Sequence, residues 1–225
     1  MKKLTRLFVA SLCMAALTSC GEQRKQVVYE EQGPFEVFTT QNTDVTPYRI
    51  PSITKTSKGD LLAVADSRPC RADIGYGRVD LHGRISQDNG KTWGDVFTII
   101  EGDGIMVDKD PNKSLTAGYG DPCLIADRES DRQMVLCVGD STGRTVFQQG
   151  FQQVYRFYGT NNGKTWSKGE NITHKIYSLV PQLPCLFIGS GKIHQSRYVK
   201  KGKYYRLYCS LISLKYGNAV IYSDD

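Results

Sequence analysis

Residues 86–93 read Ser-Gln-Asp-Asn-Gly-Lys-Thr-Trp, and residues 159–166 read Gly-Thr-Asn-Asn-Gly-Lys-Thr-Trp. A third copy begins at Ser223-Asp224-Asp225, where the 225-residue sequence stops. The starts lie 73 and 64 residues apart, and each interval holds several short strand patterns. The repeating unit is therefore read as one small antiparallel sheet. Within the phrase, Asp88 and Asn89 can bond their own backbone and tolerate left-handed geometry, while Gly90 supplies a positive φ. Thr92 and Trp93 are expected to resume the next strand, with the indole over the turn. Asp88 and Trp93 are accordingly assigned to structure and not to catalysis.

Working outward, helical periodicity is nearly absent. Short alternating runs take its place at Phe35–Phe38, Leu61–Ala65, Val79–His82 with Ile85, Met134–Val138, Val154–Tyr158 and Tyr204–Leu211. Ser57-Lys58-Gly59-Asp60 and Lys200-Lys201-Gly202-Lys203 read as tight hairpin turns. The chain is read as all-β and antiparallel. A sandwich could supply such strands but not this repeat spacing, whereas a propeller supplies both.

The N-terminus reads differently. Lys2, Lys3 and Arg6 precede an apolar stretch from Leu7 to Leu17, which suits a secretory leader and is short for a membrane span. Leu17-Thr18-Ser19-Cys20 has the pattern of a bacterial lipoprotein cleavage box, so 1–19 is expected to be a signal peptide and Cys20 the lipid attachment point. Residues 20–33 then read as a polar tether and 34–225 as the folded part, placed in the cell envelope on the outer-membrane or periplasmic side. Cys70, Cys123, Cys137, Cys185 and Cys209 show no zinc spacing; at most two disulfides, or buried free thiols, fit them. The net charge of +6 is scattered and not clustered with aromatics, which argues against nucleic acid as a partner and is compatible with an acidic glycan. No ligand cluster for a metal or an organic cofactor is visible, and none is expected.

The repeat, combined with Tyr48-Arg49-Ile50-Pro51 ahead of it, resembles the bacterial exo-sialidases (neuraminidases), six-bladed propellers that remove terminal sialic acid. The likeness continues through Gly59–Arg68, Ala72-Asp73-Ile74, Gly120-Asp121-Pro122 and Val220–Asp225. It implies an all-β, six-bladed β-propeller of which about three blades are present in this chain, and sialylated glycans as partners.

The resemblance also implies roles. Sialic acid carries a carboxylate on its anomeric carbon, and a guanidinium stays charged and can grip two oxygens. Arg49 matches the first member of the family's three-arginine clamp. Arg68 matches an arginine that contacts the 4-hydroxyl region, and Asp121 matches a carboxylate at the same place. Asp73 matches the general acid/base, with Asp80 as a rival; Asp73 is favoured because it lies on a glycine-rich loop and not in an alternating strand. Tyr119, Phe147 and Phe151 either line an N-acetyl pocket or pack in the core. The family's tyrosine nucleophile, an exception to paired carboxylates, and its glutamate have no counterpart here.

By this reading the chain derives from an exo-sialidase, and as a 225-residue polypeptide it is expected to be incomplete, with open edges and no meaningful turnover. Two other readings are a glycan-binding lipoprotein that holds sugar through Arg49, Arg68 and Asp121 without catalysis, and a structural propeller without a sugar site.

Overall fold

The computed structural model describes residues 35–39, 47–70, 73–74, 77–102, 118–140, 152–183, 186–213 and 216–225. The chain divides into units 1–34 and 35–225, of which the second is described here. The leader, Cys20, Phe147, Phe151 and Cys185 lie outside the described residues.

Three antiparallel sheets follow one another along the chain. The first has the order β1 (Tyr48–Lys55), β2 (Leu61–Ser67), β3 (Asp80–Ser86), β4 (Phe97–Ile100). The second contains β5 (Gly118–Ala126), β6 (Gln133–Asp140), β7 (Gln153–Thr160) and β8 (Thr165–Trp166), and β9 (Glu170–Asn171) also pairs with β7. A short helix, α1 (Thr173–Leu179), leads to the third sheet. There β13 (Tyr204–Ser213) pairs with β10 (Leu186–Ile188) and β12 (His194–Lys201), and also with β14 (Gly217–Ser223). β11 (Gly191–Lys192) instead runs parallel to β5, Gly191 opposite Cys123.

These sheets stack face to face, as period-2 side-chain alternation allows. On β5, Leu124 enters the apolar cluster shared with the first sheet, with Leu62, Val64, Leu81 and Ile85. Its neighbours Cys123 and Ile125 enter the cluster shared with the third sheet, with Leu186, Ile188 and Leu211. β6 divides in the same way, Val135 and Cys137 against Leu136. Such two-sided burial explains why the central strands read as near-continuous apolar runs. The first strands of the sheets converge: β1 lies against β5 and β11, and Ser52 Oγ donates to the Gly191 carbonyl. Successive sheets facing each other around converging first strands are the blades of a propeller.

Cys70, Cys123, Cys137 and Cys209 are buried, and the Cys123 and Cys209 sulfurs lie 3.9 Å apart.

In the first repeat, Asp88 ties the turn. Its Oδ1 accepts from Ser86 Oγ (2.8 Å) and the Thr92 amide (2.8 Å), and its Oδ2 accepts from Thr92 Oγ1 (2.6 Å). Asn89 and Gly90 adopt φ of 60° and 92°, the left-handed step that lets the chain reverse. Ser223 Oγ repeats the Ser86 contact by donating to Asp225 Oδ1. Two expectations fail locally. Thr92 and Trp93 do not resume a strand in the first copy, where pairing restarts at Phe97; in the second copy Thr165 and Trp166 do. Phe35–Phe38 is not a strand: alternation without a paired neighbour forms no ladder, and Phe38 stacks on Tyr48, ring centroids 5.0 Å apart. Helix α1, which buries only Ile176, carries too little apolar periodicity to be read from sequence.

These bonds hold the Asp88 carboxyl down at about 2, the Thr92 hydroxyl being the largest cause. A depressed carboxylate contributes stability that is present above its ordinary value of 3.8 and is lost as pH falls towards about 2. Asp88→Ala is therefore expected to lower the denaturant midpoint near neutral pH, and by less at about pH 3. Equal losses at both pH values would remove the charged turn from the account.

Candidate active site

Two backbone irregularities place the charged groups. On β1, the register with β2 shifts between Arg49 and Ser52, and Ile50 adopts a φ of 50° just before Pro51. A β-branched residue in that region is strained and persists only where its surroundings hold it. On β5, the register with β6 shifts between Gly120 and Cys123, and Asp121 adopts a φ of 55° just before Pro122. Bulges re-aim side chains at sheet ends, and here they do so on two strands that lie against each other. Arg49 is exposed and stands opposite Asp66 in the β1–β2 register.

Arg68, immediately after β2, is the centre of the group, with its side chain only 1% exposed. Its Nε and Nη2 donate to Asp66 Oδ2 at 3.0 and 2.6 Å. Its Nη1 donates to Asp73 Oδ1 at 2.7 Å, and Nη2 lies 3.5 Å from Asp121 Oδ1. Asp66 is fully buried, Asp121 is 18% exposed and Asp73 is 58% exposed, so the carboxylates grade from core to solvent around one guanidinium. The Asp73 Oδ1 also accepts from the Ile74 amide at 3.1 Å. Asp66 Oδ1 accepts from the Asp121 amide at 3.0 Å.

The electrostatics follow from burial. Desolvation works against the Arg68 charge, but Asp66 and Asp73 more than offset it, and its pKa lies above the ordinary arginine value. Burial pushes Asp66 up to about 7 against the pull of Arg68. It also raises Asp121, although Arg68 and Arg49 both pull that carboxyl down. Three carboxylates competing for one buried guanidinium leave the most enclosed acid the hardest to ionise.

Of the residues named from sequence, Arg68, Asp73 and Asp121 come together directly. Arg49 is close enough for its charge to act on Asp121. Asp80 is elsewhere: it is buried and accepts both from Arg78 Nε, at 2.9 and 3.0 Å, and from the Gly102 amide at 2.7 Å. That pairing gives Asp80 a structural task and separates it from Asp73. Tyr119 packs edge-on against Tyr155 and Phe157, with centroids 5.1 and 6.0 Å away. Asp66 was not singled out from sequence. Its signal was present: a lone carboxylate in an apolar strand, two residues before an arginine and hence on the same face. Among the described residues, no group of three His, Cys, Asp or Glu side chains is placed to hold a metal.

No protein-family model matches this sequence. It is 29% identical to a sialidase of Micromonospora viridifaciens over a 237-residue alignment that covers 97% of this chain and 35% of that protein. The chain thus spans about a third of the length of this curated relative. Among solved structures, it is similar to the Hadza microbial sialidase Hz136, with a TM-score of 0.62 and 22% identity over 79% of this chain and 35% of that one. It is also similar to the intramolecular trans-sialidase of Ruminococcus gnavus, solved with oseltamivir carboxylate, with a TM-score of 0.67 and 16% identity over 84% and 61% of the two chains. The leech intramolecular trans-sialidase, solved with 2,7-anhydro-Neu5Ac, gives a TM-score of 0.67 and 15% identity over 86% and 44%. These structural likenesses establish the propeller fold.

Proposed function

Because this chain is a protein of the bacterial sialidase family, we propose that it binds sialylated glycans, its described residues forming the sugar-gripping and acid/base side of an exo-sialidase site. The convergence of Arg68 with Asp66, Asp73 and Asp121, beside Arg49, carries this reading. Each member suits a different part of the reaction. Arg49 is exposed and always charged, so it can pair with the sugar's carboxylate. Arg68 and Asp121 present a fixed donor and acceptor, the pattern that recognises a hydroxyl. Asp73 is the most exposed of the three acids and is anchored through one oxygen, which suits a group that must reach a glycosidic oxygen and exchange a proton there.

By the family resemblance, the tyrosine nucleophile and its glutamate have no counterpart among these 225 residues, so the chain should bind the sugar without turning it over. Lipid attachment at Cys20, and with it a place in the cell envelope, belongs to the same proposal. The test is to incubate the purified chain with a fluorogenic sialoside and, separately, to titrate it with N-acetylneuraminic acid. Saturable binding without release of fluorophore is expected. Release that is abolished by Asp73→Asn would overturn the non-catalytic half of the proposal, and absence of binding would overturn the sugar site.

A further inference from the structure

Asp66 is the one acid of the group that cannot touch a ligand, being fully buried at the end of β2. It nevertheless touches both residues assigned to the sugar's hydroxyl. One oxygen takes two of the Arg68 donors, which uses the inner edge of the guanidinium fork and turns Nη1 outward to Asp73. The other takes the amide of Asp121, the residue held at a positive φ. Gly120 makes that approach possible: a Cβ there would sit 2.9 Å from Asp66 Oδ2 and 2.7 Å from Ile74 Cδ1. The Asp66 carboxylate of the first sheet therefore bonds directly to the backbone of the second.

We infer that Asp66 is the positioning residue of this site, its ionised carboxylate setting the directions of Arg68 and Asp121 and thereby the site's affinity for an N-acylated, carboxylated sugar. The inference rests on the sugar-site reading above. It assigns Asp66 no contact with ligand and no proton transfer to it.

A positioning carboxylate that titrates leaves a pH signature. Burial lifts Asp66 to about 7, so its grip is complete above that pH and is lost as pH falls through it. The groups facing it are Arg68 beside it, Asp121 on β5, Cys137 on β6, and, beyond Arg68, Asp73 and Arg49. The arginines stay charged throughout, and burial holds the Cys137 thiol well above its ordinary value, so it stays neutral. Asp121 is itself raised, and any step it contributes survives when Asp66 alone is replaced.

The experiment uses the full chain, with the Arg68 Nε–H proton followed by NMR and N-acetylneuraminic acid affinity followed by calorimetry, each across pH. In the parent, the Arg68 signal should shift with a midpoint near 7, and affinity should fall at least tenfold below it. The isosteric Asp66→Asn should remove that step from both curves and hold affinity at the low value at all pH. The parent curves decide the matter even if the variant fails to fold. An Arg68 signal flat across this range in the parent overturns the inference, as does parent-like affinity in Asp66→Asn at high pH. A parent that shows the Arg68 step but binds no sugar would overturn the sugar-site reading, and with it the role given to Asp66.

Discussion

Replacing Arg68 by methionine should lower the unfolding free energy by about 3–5 kcal/mol at about pH 8, the cost of leaving a buried carboxylate without its partner. The size follows from enclosure: the Arg68 side chain is 1% exposed and Asp66 not at all. The loss should shrink in acid. The native pKa of Asp66, about 7, lies above its ordinary value of 3.8, so between these the folded protein holds a proton that the unfolded chain has released. Stability from this group is therefore fully present in acid and declines as pH rises towards 7. Without Arg68 that proton is held more tightly still, and near pH 5 the variant carries no bare buried charge at this position. Urea unfolding of parent and variant at about pH 8 and about pH 5 measures the difference. A penalty independent of pH, or one below about 1 kcal/mol, would show that Arg68 and Asp66 do not form the pair described.

Arg49→Ala should give the opposite profile, with little effect on folding and a large one on binding. Arg49 is exposed and lies before the β1 bulge, so its removal should change stability by no more than about 0.5 kcal/mol. Loss of a charge pair with the ligand should cost about 2 kcal/mol or more, roughly thirtyfold in affinity for N-acetylneuraminic acid. The neutral methyl ester of the sugar should bind parent and variant alike. Unchanged affinity of the variant for the acid would take Arg49 out of the carboxylate clamp.

The blades were legible because their signals are local. Turn chemistry at Asp88-Asn89-Gly90 and its return at Asn161-Asn162-Gly163 mark the same place in successive sheets, and Asn89, Gly90, Asn161, Asn162 and Gly163 all adopt positive φ values. Phe35–Phe38 departs from its strand reading for the converse reason: alternation says nothing about whether a partner strand exists; and helix α1, with seven residues burying one side chain, has almost no period to detect. Of the candidate site, Arg68, Asp73 and Asp121 are named from motifs. Their mutual geometry was not legible, because it depends on β2 and β5 meeting across two sheets with Gly120 between them. Asp80 shows the limit from the other side. By residue type it rivals Asp73; its place in a strand already weighs against it, and its bonds to Arg78 and Gly102 separate the two. Asp66 was hidden by its surroundings, since a strand that is otherwise apolar reads as core.

The most direct test of the sugar site is an NMR titration of the full chain with N-acetylneuraminic acid at about pH 8, following the side-chain N–H signals of Arg49 and Arg68. Saturable shifts are expected at both arginines, with those at Arg49 absent when the methyl ester is used instead. Shifts confined to residues away from β1, β2 and β5, or no saturable shift at either arginine, would contradict it.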